Sequence, residues 1–337
     1  MNLELNNTRP VAVVGTTVWG TTLTIMLARE GVEVRLLART KAEAEILNSN
    51  RENTKKLPGF KFPERVMITD DPSVAFRDVE MVFMVVPSSS MRINAEWIKD
   101  FMTFDSIVVS AAKGLEAKTQ MRMTEVLADE IPNAKFASLS GPNLAREIVN
   151  EMPASTVISS QHLDVSKKVQ SVLNSQTFRV YTNADVIGSE LAGAFKNIIA
   201  IGAGVVDGME LGDNAKAGLV TRGLSEMTRL GIAAGGDAAT FAGLSGLGDL
   251  LVTCYSGLSR NYKVGISLSK GFSANQAVLD LHGEVAEGIS STPVALSLGK
   301  KLGVDLPLAE VIQELLSGQI KTDEAIVRIM SRAPRNE

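Results

Sequence analysis

The sequence predicts an α/β fold in which a doubly wound parallel sheet is followed by an all-α domain. In the first half of the 337 residues, short runs of consecutive apolar, β-branched residues alternate with helical periods. Such runs are typical of strands buried on both faces of a parallel sheet, with helices as the connections. From about Val186 the strand-like runs disappear, and helices rich in Ala, Gly and Leu follow one another. We therefore place a sheet domain at residues 1–185 and a helical domain at residues 186–337.

The elements of the sheet domain follow from these runs. The predicted strands are Val11–Val14, Glu33–Leu37, Met81–Val86, Ser106–Ser110 and Lys135–Leu139, with Ser155–Ser159 and Phe178–Tyr181 added at the far edge. Predicted connecting helices include Thr21–Glu30, Lys41–Asn50 and Thr119–Glu130. In the second domain, the apolar run Ile198–Val206 is far shorter than a membrane span requires, which predicts a buried helix.

Composition excludes several classes of function. The chain has 34 basic and 38 acidic side chains, a net charge of −4, so bulk electrostatic binding of nucleic acid is not expected. Its one cysteine cannot form an internal disulfide, and its two histidines, His162 and His282, lie far apart, so no metal site is predicted. The N-terminus lacks the basic start and apolar core of a signal peptide, which indicates the cytoplasm.

The first predicted strand leads into a glycine-containing turn. In the dinucleotide fingerprint G-x-G-x-x-G, the first glycine makes the turn, the second admits the pyrophosphate and the third allows close helix packing. Gly15 and Gly20 fit the first and third places, and Thr17 occupies the second. The Thr17 side chain would either crowd the pyrophosphate or replace part of its contact by hydrogen bonding. A strand-to-helix turn without a ligand is the alternative, but its position favours a Rossmann-type nucleotide loop.

The end of the second strand bears on the choice of nicotinamide cofactor. An acidic residue there would bind the ribose 2′-hydroxyl, but the residue is Arg39, and no carboxylate follows until Glu43. Because a cation favours the 2′-phosphate, we expect NADPH to serve at least as well as NADH. A solvated arginine at a strand end is the alternative.

Two segments end strands at the carboxyl edge of the sheet, where open α/β folds bind ligands. Lys113 follows the strand Ser106–Ser110 and can reach a substrate oxygen there. Ser140-Gly141-Pro142-Asn143 closes the next strand at the same edge. We expect a ligand at this edge.

Polar residues also interrupt apolar runs in the second domain. Burial of Lys196, which Asn197 follows, would lower its pKa towards the range of a general acid at neutral pH; a lysine that snorkels to solvent or pairs with a carboxylate is the alternative. Asp249 follows a glycine-rich loop and is either a helix N-cap or the partner of a buried cation. Ser259-Arg260-Asn261 suits a phosphate, although a surface turn would explain it equally well.

Six ordered segments together resemble the bacterial-type NAD(P)-dependent glycerol-3-phosphate dehydrogenases, and the likeness runs from the first strand to nearly the last helix. They are Ala112–Glu116, Ser140–Pro142, Lys196–Gly204, Gly246–Leu250, Ser259–Asn261 and Val285–Gly288. The resemblance implies reversible reduction of dihydroxyacetone phosphate to sn-glycerol 3-phosphate, which supplies glycerol phosphate for phospholipid synthesis. The hydride would come from the nicotinamide of NADP or NAD.

The resemblance also implies roles for individual residues. Lys196 would donate the proton, Lys113 would polarise the carbonyl and contact both ligands, and Asp249 and Thr253 would support the reacting lysine. The full set of expected substrate residues is Lys113, Gly141, Asn143, Lys196, Asn197, Asp249, Ser259, Arg260 and Asn261. The expected cofactor residues are Gly15, Thr17, Val18, Trp19, Gly20, Arg39, Lys113, Ala145, Arg260, Val285 and Glu287.

This chain departs from the family pattern at a few positions. Thr17 replaces a glycine, Val18 a small polar residue, Leu37 a common aromatic residue, and Asn143 a serine or threonine that contacts substrate. Asparagine can donate and accept, so it would change the hydrogen bonds at that position without abolishing binding.

Two other functions compete with this one. Another NADP-dependent ketone or hydroxy-acid reductase of the same architecture is opposed by Ser259–Asn261 with Lys113, which favour a phosphorylated ketone. A nucleotide-binding protein that has lost its chemistry is opposed by the retention of Lys196 and Asp249. A second copy of the chain, in a homodimer, is a candidate partner, although the sequence does not specify an oligomeric state.

Overall fold

The computed structural model describes residues 9–281 and 285–331, and the structural statements below refer to these residues. The chain divides into two compact units. The first holds the described residues up to Ala112 together with Met121–Val186, and the second holds Lys113–Gln120 together with the residues from Ile187 onward. The segment Lys113–Gln120, which lies within the predicted first domain, is therefore part of the helical unit.

Within the described residues, the first unit contains an eight-stranded sheet with the order β3-β2-β1-β4-β5-β6-β7-β8. All neighbouring strands are parallel except β6 and β7, which are antiparallel. The order reverses between β1 and β4, as in a doubly wound fold. The strands are β1 (Val11–Val14), β2 (Val34–Leu37), β3 (Val66–Thr69), β4 (Met81–Met84), β5 (Ile107–Ser110), β6 (Lys135–Ser140), β7 (Ala154–Ser159) and β8 (Phe178–Asn183).

Both faces of the sheet are covered, which explains the consecutive apolar residues in its strands. Val11 and Val13 of β1 belong to one buried cluster, whereas Ala12 and Val14 belong to another. Since successive side chains of a strand point to opposite faces, the two clusters are the cores on either side of the sheet. The predicted doubly wound α/β fold is confirmed, and so are all seven predicted strands.

The edge strand β3 is not among the strands predicted from the sequence. Its four residues pair only with β2, and Val66 and Ile68 are buried while Met67 is exposed. An alternation of this length is too short to stand out from a loop. The sequence signal for β3 was the apolar pair Val66 and Ile68, two residues apart.

Two helices begin at residues other than those predicted. The helix expected from Thr21 begins at Val18, because Thr17 caps it with its side chain. The helix expected from Thr119 begins at Met123, after Gln120 adopts the left-handed conformation (φ 63°) and Arg122 takes the N-cap position. A non-glycine residue in that region interrupts a helix.

Helices occupy the remaining elements. Those of the first unit are α1 (Val18–Arg29), α2 (Lys41–Asn50), α3 (Pro72–Ala75), α4 (Met91–Ile98), α5 (Met123–Glu130), α6 (Ala145–Val149) and α7 (Leu163–Leu173). From Val186 onward the described elements are all helical, which confirms the predicted helical C-terminal part of the fold. They are α8 (Val186–Gly208), α9 (Asp213–Ala233), α10 (Ala238–Ala242), α11 (Asp249–Tyr255), α12 (Arg260–Ser269), α13 (Ala274–Leu279), α14 (Glu287–Leu302), α15 (Pro307–Leu316) and α16 (Thr322–Met330), with a π-helical turn at Leu244–Gly248.

Helix α8 is the core of the second unit. It is long and apolar enough to cross a membrane, but 89% of its apolar window is buried inside the protein. Two glycines bring α8 and α12 into backbone contact: a Cβ atom at Gly204 would overlap the carbonyl oxygen of Tyr262, and one at Gly265 would overlap that of Ile201. The position of α12 on α8 is therefore fixed by main-chain atoms that cannot move aside.

We expect Gly265→Ala to lower the free energy of unfolding by about 1–3 kcal/mol, the usual cost of overpacking. Gly218→Ala is the matched control, because Gly218 lies exposed within α9 and its Cβ would meet no described atom within 4 Å. That change should raise stability by up to about 1 kcal/mol, since alanine favours a helix over glycine. Urea unfolding followed by circular dichroism measures both values, and shifts of the same sign would contradict the close contact.

Candidate active site

A buried carboxylate in the second unit holds two lysine side chains. Asp249 is the first residue of α11 and is 1% exposed. Its Oδ1 accepts a hydrogen bond from Lys196 Nζ at 2.5 Å, and its Oδ2 accepts one from Lys113 Nζ at 2.7 Å. The N-cap of α11 is Gly248, so Asp249 is the partner of buried cations and not the cap.

Lys196 lies within α8 and is 6% exposed, so it does not snorkel to solvent. Besides Asp249, its Nζ donates to Thr253 Oγ1 at 2.8 Å. The Thr253 hydroxyl proton is already donated to the carbonyl oxygen of Asp249, so this oxygen can only accept from Lys196. An ammonium group has three donors, so one remains for a ligand.

The surroundings shift the proton equilibrium of Lys196 strongly. Burial lowers the pKa of Lys196 to about 7, because a charged group loses its hydration there. The negative charge of Asp249 counteracts burial and raises this pKa, while the positive charge of Lys113 lowers it. Lys196 can therefore hold or release a proton near neutral pH.

Two asparagines connect the lysine cluster to neighbouring segments. Asn197 Nδ2 donates to the carbonyl oxygens of Lys113 and Gly193, both at 3.3 Å, and Asn197 Oδ1 accepts from Asn261 Nδ2 at 2.9 Å. Asn261 Oδ1 in turn accepts from the backbone N–H of Gly288 at 2.9 Å. The structure thus brings the two predicted substrate residues together, but it also commits both amides to contacts within the protein.

Ser259, Arg260 and Asn261 form the beginning of a helix rather than a surface turn. Ser259 caps α12, with its Oγ accepting from the backbone N–H of Tyr262 at 3.3 Å. Arg260 follows as the first helical residue and is exposed, whereas Asn261 is buried. A helix N-terminus and a guanidinium group at the same place both favour an anion.

The remaining predicted residues of this unit lie around the start of α14. Val285 is 42% exposed, and Glu287 is the first residue of that helix. A Cβ atom at the next residue, Gly288, would come within 2.6 Å of the carbonyl oxygen of Asn197, so glycine is required there. His282 lies outside the described residues.

In the first unit, Gly15 and Gly20 have the steric roles that the nucleotide fingerprint assigns to them. Gly15 has a φ of +109°, and a Cβ there would lie 2.6 Å from the carbonyl oxygen of Val85, directly after β4. A Cβ at Gly20 would overlap the carbonyl oxygen of Gly15. The first glycine makes the turn and the last allows α1 to approach the loop, which is what a dinucleotide site requires.

Thr17 fits this loop because its backbone needs no glycine and its side chain turns inward. Its φ of −64° is open to any residue. Its Oγ1 accepts from Gly20 N and donates to the carbonyl oxygen of Val85, both at 3.0 Å. The N–H groups of Val18 and Trp19, in the first turn of α1, have no carbonyl within the helix to bond and suit a phosphate.

A carboxylate that is not among the predicted site residues lies at the ends of the first two strands. Glu43 Oε2 accepts from the backbone N–H of Arg39 at 3.2 Å, and its Oε1 accepts from Thr16 Oγ1 at 2.5 Å. The Arg39 residue itself is exposed. The available signal was Thr40 and Glu43 at the spacing of a capping box, which brings the glutamate back over the residues before the helix.

Three predicted residues follow the end of β6. Gly141 has a φ of +137°, and a Cβ there would come within 3.1 Å of Thr156 Cα. Asn143 Nδ2 donates to Thr156 Oγ1 at 3.0 Å, and Ala145 begins α6. The predicted site residues therefore form two groups, one in the sheet unit and one in the helical unit, and in the second group Lys113, Lys196 and Thr253 contact Asp249.

The described residues contain neither a candidate metal cluster nor a reactive thiol. Among residues 9–281 and 285–331, no group of three or more His, Cys, Asp or Glu side chains could hold a metal ion. Cys254 is fully buried, and burial raises the pKa of its thiol to about 12. A thiol of that pKa is not a nucleophile at neutral pH.

Comparison with known proteins identifies the family. The model of the NAD-dependent glycerol-3-phosphate dehydrogenase N-terminus matches residues 10–166, and that of the C-terminus matches residues 185–327. The chain is 44% identical to the glycerol-3-phosphate dehydrogenase [NAD(P)+] of Corynebacterium kroppenstedtii over 97% of this chain and 99% of that protein. It is 41% identical to the protein of the same name from Chlorobium luteolum, again over 97% and 99%.

A solved structure agrees with this result. The crystal structure of glycerol-3-phosphate dehydrogenase from Coxiella burnetii has a TM-score of 0.92 and 34% sequence identity, covering 96% of this chain and 99% of that one. With both halves matched by the family models and full-length relatives above 40% identity, the chain belongs to the NAD-dependent glycerol-3-phosphate dehydrogenase family.

Proposed function

We propose that this chain catalyses the reversible, NAD(P)-dependent interconversion of dihydroxyacetone phosphate and sn-glycerol 3-phosphate, the activity named for its relatives. The observation that carries the proposal is the buried cluster in which Asp249 binds both Lys113 and Lys196. Such a cluster suits proton transfer to a carbonyl oxygen. The product would supply the glycerol phosphate of phospholipids.

Lys196 is the proposed proton donor. When bound, the nicotinamide supplies a hydride to the ketone carbon, so the ketone oxygen must gain a proton to become a hydroxyl. Lys196 Nζ holds that proton, and its pKa of about 7 lets it give the proton up without a large energetic cost. In the reverse direction, the neutral amine takes the proton from the substrate hydroxyl.

Lys113 has a different proposed role, because the proton is assigned to Lys196. Its side chain is 18% exposed and bound to the second oxygen of Asp249. We propose that its ammonium group polarises the carbonyl and stabilises negative charge on the oxygen in the transition state. Asp249 positions both lysines and its charge raises the pKa of Lys196, while Thr253 positions Lys196 alone.

The substrate phosphate is assigned to the start of α12. The exposed Arg260 and the helix N-terminus capped by Ser259 offer a cation and backbone donors at one place. Binding energy from the phosphate would fix the ketone for hydride transfer. Asn197 and Asn261, joined to each other, hold α12 in register with the lysine cluster.

The cofactor is assigned to the glycine loop of the first unit. The turn at Gly15, the close approach at Gly20 and the helix N-terminus at Val18 and Trp19 fit a pyrophosphate. Arg39 favours a 2′-phosphate, so we propose that NADPH serves at least as well as NADH. The cytoplasmic location and the homodimer stay predictions from the sequence.

The first prediction of the proposed function concerns proton transfer. We expect Lys196→Ala to lower kcat for dihydroxyacetone phosphate reduction by a hundredfold or more, because general acid catalysis usually contributes at least that much. NADPH affinity, measured by fluorescence titration, should stay near that of the wild type, since Lys196 is not assigned to the cofactor. Turnover that survives within about tenfold would contradict the assignment.

The second prediction concerns the pKa of Lys196. In protein labelled with 13C at lysine Cε, one NMR signal should titrate near pH 7, well below the ordinary lysine value of 10.5, and be absent from Lys196→Met. Asp249→Asn removes the charge that raises this pKa, so the midpoint should fall. Lys113→Met removes the repelling charge, so it should rise.

The same titration sets the pH dependence of the reaction. Reduction needs the protonated lysine and should slow as the pH rises through about 7, whereas oxidation needs the neutral amine and should accelerate. A Lys196 signal that titrates near 10.5, with flat rate profiles across neutral pH, would contradict this account.

The third prediction separates phosphate binding from chemistry. Arg260→Leu should raise KM for dihydroxyacetone phosphate by about 10- to 100-fold, because a hydrogen bond to a charged group contributes about 1.5–3 kcal/mol. At saturating cofactor, the reaction of dihydroxyacetone, which lacks the phosphate, should not change. Lys263→Leu, at an exposed position of the same helix, is the matched control and should leave both KM values unchanged. Equal loss with both substrates would contradict the assignment.

A further inference from the structure

The carboxylate of Glu43 connects the loops that follow the first two strands of the sheet. One oxygen accepts from the hydroxyl of Thr16, which directly follows Gly15, and the other accepts from the backbone N–H of Arg39, two residues beyond β2. Glu43 and Thr16 are both partly exposed. The carboxylate therefore lies at the carboxyl ends of β1 and β2 and is within reach of a ligand bound there.

This position is not the ordinary consequence of helix capping. Thr40 caps α2 and accepts from the N–H of Glu43 at 3.2 Å. In a capping box, the glutamate would bind the N–H of the cap residue itself. Here Glu43 binds the N–H of Arg39, one residue before the cap, and also reaches Thr16 in the glycine loop. The same loop is held by Asn53, whose Nδ2 donates to the carbonyl oxygen of Thr16 at 3.0 Å and to Thr21 Oγ1 at 2.8 Å. The loop is held in place beneath the carboxylate.

In doubly wound folds, the end of the second strand is part of the dinucleotide site. The adenosine ribose binds beside the end of the second strand, where a carboxylate accepts from the 2′-hydroxyl of NAD and an arginine accommodates the 2′-phosphate of NADP. This chain has an arginine and a carboxylate at the end of its second strand, because Glu43 binds the backbone N–H of Arg39. A carboxylate has about four acceptor positions, and the two contacts of Glu43 leave capacity for a ribose hydroxyl.

We propose that Glu43 is a specificity-determining residue that accepts a hydrogen bond from the adenosine ribose hydroxyls of NAD(H) and repels the 2′-phosphate of NADP(H). This inference rests on the proposed function only in that the ligand is a nicotinamide dinucleotide. Glu43 opposes the effect of Arg39, so the chain uses both cofactors, and loss of the carboxylate moves the preference towards NADP(H).

The test uses binding of cofactor fragments, so that it does not depend on catalysis. ADP and adenosine 2′,5′-bisphosphate, which carries the 2′-phosphate, are titrated calorimetrically into the wild type and Glu43→Gln. We expect Glu43→Gln to bind the bisphosphate more tightly and ADP more weakly, so that the ratio of the two dissociation constants shifts by about tenfold, the scale of one close charge interaction. NADP⁺ and NAD⁺ should follow the same order.

Two further variants keep the result decisive. Glu45→Gln removes the same charge from the exposed face of α2, where Glu45 lies 4.0 Å from Lys41, and should leave the ratio unchanged. Thr16→Val removes one contact of the carboxylate but keeps its charge, so the ratio should move far less than in Glu43→Gln. A Glu43→Gln shift below twofold, or no larger than that of Glu45→Gln, would overturn the inference.

The outcomes also separate this inference from the proposed reaction. A tenfold shift in a protein that does not turn over dihydroxyacetone phosphate would count against the reaction and support the role of Glu43. Turnover with an unchanged ratio would do the reverse. Failure of the wild type to bind either fragment would overturn the ribose contact itself.

Discussion

One buried carboxylate between two lysines joins three segments of the helical unit, those that carry Lys113, Lys196 and Asp249. Asp249 and Lys196 are almost without solvent, and removal of either partner from a buried pair typically costs about 3–5 kcal/mol, because the other charge remains uncompensated. The balance is nevertheless incomplete, since one carboxylate faces two ammonium groups. The excess positive charge contributes to the low pKa of Lys196 and would be neutralised by negative charge on a substrate oxygen. The proposed alkoxide would therefore find uncompensated positive charge at this place.

Such a cluster needs a rigid frame, and main-chain contacts at glycines provide it. Gly204 and Gly265 bring α8 and α12 together, and Gly288 lies against the carbonyl oxygen of Asn197, the residue after Lys196. A Cβ at Gly246 would overlap the main chain of Phe241, which fixes the π-helical turn that delivers Asp249 to the end of Lys196. Because backbone atoms cannot change rotamer, these contacts hold Lys196, Asn197 and Asp249 in place, which would lower the entropic cost of binding a ligand.

Local patterns predicted the elements of the fold, whereas the pairing of distant residues had to come from the structure. The buried strands β1 and β4 were evident from consecutive apolar residues, but β3 was not, because its alternation is short and lies at an edge. A helix N-cap and the partner of a buried cation were both compatible with the sequence around Asp249. Only its contact with Lys196, 53 residues away in sequence, distinguishes the two. Glu43 is four residues from Arg39 in sequence, which made it look too distant from the end of β2. The first turn of α2 brings its side chain back to the backbone N–H of Arg39.

The two threonines of the glycine loop, Thr16 and Thr17, make different hydrogen bonds. The Thr17 hydroxyl accepts from the backbone N–H of Gly20 and donates to the carbonyl oxygen of Val85. One backbone donor of the α1 N-terminus is therefore already used, and fewer remain for a pyrophosphate. Thr16, by contrast, donates its hydroxyl to the carboxylate of Glu43, which also accepts from the backbone N–H of Arg39. A loop that is already fixed loses less conformational freedom when a ligand binds, which offsets the missing donor. Under the proposed binding mode, discrimination between NAD and NADP would depend less on the phosphates that the two cofactors share than on the ribose, where Arg39 and Glu43 would act with opposite charge.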